Sequence, residues 1–398
     1  MGSIPGLDPF LLAVTLASEL DRVARNEANR LRRAHGRVRF DTLPLPLNVS
    51  VLAVNNTTSP TDLSLLSSPE LIDSELERLE VPQATSVQER LDGARRVLRS
   101  IEALSASFDH DQDATDRFAR GLGVAVSALY RAEDLVRSRR FWNLAWQTVA
   151  AGSGDWEIRA ALLRLRARIL RLAHRDSRAI KLLQDLCGVH RTEGEGRLFA
   201  RAAISLSTLY SAAGYTPEAF ESLKLAAAVL DPATDRVELL GALFNLGWIY
   251  DSHERFEDAT ACLARLGEIR AAGAAPPTLE ARILWLKGRE ALRTQCPEDT
   301  ERCLQDALVL FLAQGELEEF CCVSLEHALA VFEQDRAAEV PGLLEPAVEV
   351  LRFLDCPEEQ LAAVILLNRA AWAGELRPAL FWRAIRALGA KRLHLKAV

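Results

Sequence analysis

An all-α, right-handed solenoid of stacked helical hairpins is the fold class this sequence predicts, on three observations. Leu183, Leu223, Leu263, Leu304 and Leu344 recur at steps of 40, 40, 41 and 40 residues. Sixteen residues before each stands a small residue: Ala167, Ser207, Gly247, Gly288 and Ala328. Four residues before each leucine lies a second slot, filled by Ala179, Ala219, Ala259, Thr300 and Val340. A fixed period of this size marks two-helix units that bury their apolar faces by stacking on one another.

The bulk numbers suit such an array. Of 398 residues, 49% are apolar and 26% charged, enough for a core and a solvated surface. The net charge of −7 argues against a whole-protein footprint for nucleic acid or an anionic membrane. The longest apolar run at the N-terminal end, Phe10 to Leu20, contains Glu19 and is too short to cross a bilayer. Asp8 stands where a secretory signal would carry basic residues. Seven cysteines with no Cys-x-x-Cys spacing point to free thiols in a reducing cytoplasm.

Taken in order, the chain divides into four segments. Residues 1–68 begin with a helix over 8–35, opened by Asp8-Pro9 and ending in a basic stretch, with Pro, Asn and Ser signals of loop structure after it. Self-association through this helix is one expectation. Residues 69–155 return to helical spacing as degenerate repeats, with one helix expected from about Ala114 to Ser138. Residues 156–372 carry the readable repeats, and 373–398 form a capping helix and a basic tail.

The sharpest unit reads Leu246-Gly247-x-x-Tyr250, then Phe256-x-x-Ala259-x-x-x-Leu263. Its predecessor reads Leu206-Ser207-x-x-Tyr210, then Gly214, Ala219, Leu223 and Ala226. This pattern resembles the tetratricopeptide repeat, of the kind found in bacterial scaffold and sensor proteins. The resemblance covers about half the chain and fades around Ala328, where Val331 replaces the expected tyrosine. It implies close packing of the two helices of each unit at the small residue. It also implies a unit of about 34 residues, with the extra residues of the 40-residue period placed in the loops.

In tetratricopeptide arrays the first helix of each unit lines a groove. Placed on the repeat, Arg164, Arg168, Arg171, Arg201, Asn245, Trp248, Asp251, Arg282, Trp285, Arg289 and Arg293 fall on or near that face. Arginine and tryptophan are the residue types most enriched at binding hot spots, and they suit an acidic, partly apolar peptide. The opposing expectation is that the arginines solvate helix faces and the tryptophans pack between units. A carboxylate clamp of the chaperone-binding kind is incomplete: Asn245 fits it, but Ile204 and Thr208 stand where basic and amide groups are needed.

Other chemistry is weakly signalled. Cys187-x-x-His190 is half a metal site without a partner pair, so no metal or other cofactor is expected. Arg30-x4-His35 matches the spacing of a helical ribonuclease family, in a helix so rich in arginine that chance produces it easily. The basic stretches 30–39 and 137–140 lack the aromatic interleaving of nucleic-acid binders. No phosphate-binding glycine loop or nucleophile elbow is present. The sequence therefore predicts a non-enzymatic cytoplasmic scaffold or adaptor that binds a protein or peptide partner in its groove. The alternatives are the sensing part of a transcriptional or signalling regulator, and a nuclease-like or toxin-like module at the N-terminus.

Overall fold

The computed structural model describes residues 16, 17, 19, 20, 22–24 and 26, then 65, 66, 68–80, 87–104, 111–131, 134–151, 156–353 and 358–389. Most of the expected helix over 8–35, the pair Arg30 and His35, the loop signals of 36–64 and the basic tail lie outside these residues. Among the described residues every regular element is a helix: α1 (Pro69–Glu80), α2 (Val87–Ala103), α3 (Asp111–Arg131), α4 (Leu135–Ala151), α5 (Trp156–Leu172), α6 (Asp176–Glu193), α7 (Gly196–Ala212), α8 (Thr216–Val229), α9 (Arg236–Ser252), α10 (Phe256–Ala271), α11 (Pro277–Arg293), α12 (Pro297–Ala313), α13 (Leu317–Glu333), α14 (Val340–Phe353), α15 (Glu358–Ala373) and α16 (Pro378–Gly389), with one 3₁₀ turn at Ala337–Glu339. The fold is an all-α solenoid of helical hairpins. The chain forms two compact units, dividing between Glu238 and Leu239.

The period has a simple physical origin. The first helices α5, α7, α9, α11 and α13 are each 17 residues long. After four of them a three-residue turn leads to the second helix. In each turn one residue takes a left-handed conformation: His174, Gly214, Glu254 and Gln295, with Asp335 and Gly374 at the corresponding places of the last two hairpins. The N–H of the next residue then reaches the carbonyl five positions back. This bond runs from Arg175 to Leu170, Tyr215 to Tyr210, Arg255 to Tyr250, Cys296 to Ala291, Arg336 to Val331 and Glu375 to Ala370, at 2.8–3.2 Å. It is the helix-ending bond of the Schellman motif and satisfies a carbonyl the helix leaves over.

The small residue and the leucine of each unit do what their spacing implies. All five leucines are buried. A Cβ built on Gly288 would lie 2.6 Å from Leu304 Cδ2, and one on Gly247 would lie 3.2 Å from Cys262 Cβ. The side-chain-free surface of the first helix is therefore where the second helix presses in.

Three local expectations need correction. The extra residues of the period are not all in loops. Only Gly194 and Glu195 separate α6 from α7, and only 314–316 separate α12 from α13, so there the added length is in the helices. The helix expected from Ala114 to Ser138 is two helices. Asp134 caps the second, accepting a bond from the Arg137 N–H at 2.9 Å, and its own N–H reaches the Leu129 carbonyl, five positions back, at 2.9 Å. The helix over Pro378–Gly389 is not a lone cap, since with α15 it forms another hairpin around Gly374.

The first unit has a core of Leu91, Leu98, Phe118, Leu122, Phe141 and their neighbours, joined by buried Leu16 and Leu20. A smaller cluster around Leu183, Leu186 and Leu206 holds α5, α6 and α7 together. The second unit packs around Phe311, Phe320, Leu344 and Phe381. No described helix is long and apolar enough to cross a membrane.

Candidate functional site

The sequence-predicted positions fall into two clusters, one in each unit, with opposite electrostatics. In the second unit, Trp248, Asp251, Trp285 and Arg289 come together with Glu326. Trp285 is only 5% exposed, and its indole N–H donates to Glu326 Oε2 at 2.7 Å. Arg289 donates from Nε to Asp251 Oδ2 and from Nη1 to Glu326 Oε1, both at 2.7 Å. Its guanidinium also lies 5.1 Å from the Trp248 ring centre, and Trp248 meets Trp285 edge-on at 4.6 Å. Burial alone would lower the Arg289 pKa; Glu326 and Asp251 outweigh it and hold it raised.

This cluster is satisfied from within. Trp285, which the repeat sets on or near the groove face, is enclosed and packed on Trp248 and Phe311. Arg289 already holds two carboxylates. Arg282 lies 4.0 Å from Glu319; Asn245, at 4% exposure, is the exception, its buried Nδ2 having no hydrogen-bond partner among the described residues. Arg293 is exposed, with its guanidinium 4.6 Å from the Phe256 ring and 3.3 Å from Thr260 Oγ1.

In the first unit, Arg164, Arg168 and Arg171 lie on one face of α5 at spacings of four and three. They line a recess with Tyr130 of α3 and Ser205 and Thr208 of α7, and no carboxylate is among the residues lining it. The hydroxyls of Ser205 and Thr208 donate to carbonyls of their own helix, at 3.0 Å to Arg201 and 2.8 Å to Ser205. Arg164 Nη1 is enclosed and has no hydrogen-bond partner among the described residues. Burial, then repulsion from Arg201 and Arg168, pushes the Arg164 pKa down to about 9. Arg201 is tied to Glu238, with Nε at 2.9 Å and Nη2 at 2.5 Å from Oε1. Arg197 shares the same oxygen at 3.0 Å.

Sequence reasoning found the cations and missed their partners Glu238, Glu319 and Glu326. The signal was present. Arg201–Glu238 and Arg289–Glu326 are 37 residues apart, and Arg197–Glu238 and Trp285–Glu326 are 41 apart. Those offsets are one repeat displaced by a helical turn or less, which sets side chains of consecutive first helices side by side.

Neither ring nitrogen of His190 has a hydrogen-bond partner among the described residues. His190 is fully buried and meets Trp156 edge-on at 5.7 Å. Burial, and then Arg164, lowers its pKa. Cys262 and Cys303 are core residues, and burial pushes the Cys262 thiol up to about 11. In the basic stretch on α4, Arg137 is paired with Asp134, and Arg140 with Glu19 at 2.5 Å.

No protein-family model matches the chain. No curated protein matches it either. Among solved structures it is similar to NprR in complex with its cognate peptide NprX, with a TM-score of 0.47 and 13% sequence identity over 82% of this chain and 90% of that one. A likeness at that level places the chain in no family.

Proposed function

We propose that this chain is a non-enzymatic, tetratricopeptide-like scaffold that binds an acidic segment of a protein or peptide partner along the first helices of its first unit. The observation that supports this most is the contrast between the two clusters. In the second unit, arginine on a first helix is neutralised by carboxylates of the neighbouring first helices. In the first unit, three arginines of α5 line a narrow recess with no carboxylate in its lining. Cations gathered around a recess favour an incoming anion and speed its encounter.

The test is binding of the full chain to arrays of acidic, neutral and basic peptides of equal length. Acidic peptides are expected to be retained, with affinity falling as salt rises. An Arg168→Glu/Arg171→Glu variant is expected to lose them. Equal retention of all three peptide classes, or acidic binding untouched by the double reversal, would overturn the reading.

A further inference from the structure

The register of the first helices explains why one guanidinium is left over. At an offset of 37 residues, Arg201 meets Glu238 and Arg289 meets Glu326. At the same offset from Arg164 the chain places Arg201, and at 41 it places Ser205. The carboxylate that completes the pattern elsewhere is replaced by a second cation. Glu157 and Glu238 are the acids whose charge acts on Arg164, neither of them lines the recess, and Glu238 already accepts from Arg201 and Arg197 through one oxygen. Tyr130, Arg168 and Arg171 close the recess, which has room for about one water-sized group.

A buried charged donor without a partner is costly, and native structures retain few of them. The group that satisfies it must bring negative charge, must be an acceptor, and must be narrow at its tip. A carboxylate meets all three conditions, since one oxygen can enter the recess while the second stays at the mouth beside Arg168 and Arg171. Planar guanidinium forks match carboxylate oxygens in geometry as well as charge. The Ser205 and Thr208 hydroxyl protons are committed to backbone carbonyls, so the arginines supply the donors.

We propose that the recess around Arg164 is a carboxylate subsite, with Arg164 Nη1 as its buried donor and Arg168 and Arg171 as its outer cations. This deepens the proposed acidic-partner reading and rests on it. The carboxylate has two sources, an Asp or Glu side chain or the end of a peptide chain.

The test uses the full chain and three labelled peptides of one Gly/Ser/Ala framework: one with a free C-terminal carboxylate, one amidated, and one amidated with a single internal Glu. A carboxylate peptide is expected to bind at least about tenfold more tightly than the neutral amidated one, a difference worth ~1.4 kcal/mol. Whether the free end or the Glu binds better names the source. Arg164→Met is expected to erase the difference, Arg164→Lys to retain part of it, and the remote surface change Arg302→Gln to leave it intact. Arg164→Met is also expected to keep or raise Tm, because it removes an unpartnered buried charge. A fall in Tm would make Arg164 a packing residue and overturn the proposal. Carboxylate binding that survives Arg164→Met but is lost in Arg168→Glu/Arg171→Glu would overturn the subsite alone. Wild-type protein that binds neither carboxylate peptide would overturn the subsite and the wider reading together.

Discussion

Glu326 is the residue on which the second unit's polar cluster turns, and replacing it with glutamine tests that directly. One carboxylate accepts from a buried indole N–H and from a half-buried guanidinium, each at 2.7 Å. Glutamine keeps the shape but has one oxygen. It can accept from Trp285 or from Arg289, and its amide N–H₂ then faces the other donor. A hydrogen bond involving a charged group contributes about 1.5–3 kcal/mol, and an unsatisfied buried donor costs about 1–3 kcal/mol. Asp251 still holds Arg289 Nε at 2.7 Å, so the loss is limited. The expected destabilisation is about 2–3 kcal/mol, read as a lower denaturant midpoint at unchanged slope. The decisive measurement is the double-mutant cycle with Arg289→Met, in which Glu326→Gln should cost about 1 kcal/mol or less. Costs that add within about 0.5 kcal/mol would show that the two side chains do not interact and would refute the reasoning.

Four further outcomes follow from single sites. Gly267→Ala, where an added Cβ meets nothing within 4 Å, is expected to stabilise by about 0.5–1 kcal/mol through helix propensity. Gly288→Ala, whose Cβ would press on Leu304 at 2.6 Å, is expected to destabilise by about 1–2 kcal/mol net in the same unfolding assay. Glu254 sits in the left-handed region at φ 59°, so Glu254→Gly is expected to raise stability by about 0.5–1 kcal/mol, measurable as a higher Tm. His327 is 2% exposed, and burial pushes its pKa down to about 4 from the usual 6.5. Between those values the unfolded chain holds a proton the folded one refuses, so stability present above pH ~6.5 falls as pH drops toward 4, at up to ~1.4 kcal/mol per unit. His327→Leu should remove that one-proton slope in unfolding midpoints measured across the window.

The period was legible because it is enforced twice, by the bare surface at Gly247 or Gly288 and by the buried leucine sixteen residues later. The turns were harder to read. The left-handed residue is glycine at 214 and 374 but His174, Glu254, Gln295 and Asp335 elsewhere, so composition hides a conformation that the backbone repeats. The arginine face of α5 was visible from its spacing alone. Which arginines are neutralised was not, because each partner lies about one repeat away, on a neighbouring first helix. A face rich in Arg and Trp looks the same in sequence whether its counter-charges are built in, as at Arg289, or absent from the lining, as around Arg164.

The central claim is that the arginine-lined recess of the first unit, and not the tryptophan cluster of the second, receives the partner's acidic group. Side-chain Nε–H NMR signals of the arginines, recorded on the full chain as an acidic peptide is added, test it most directly. Shifts at Arg164, Arg168 and Arg171, with Arg289 and the Trp285 indole unmoved, are the predicted result. Shifts confined to Arg289 and Trp285 would contradict it.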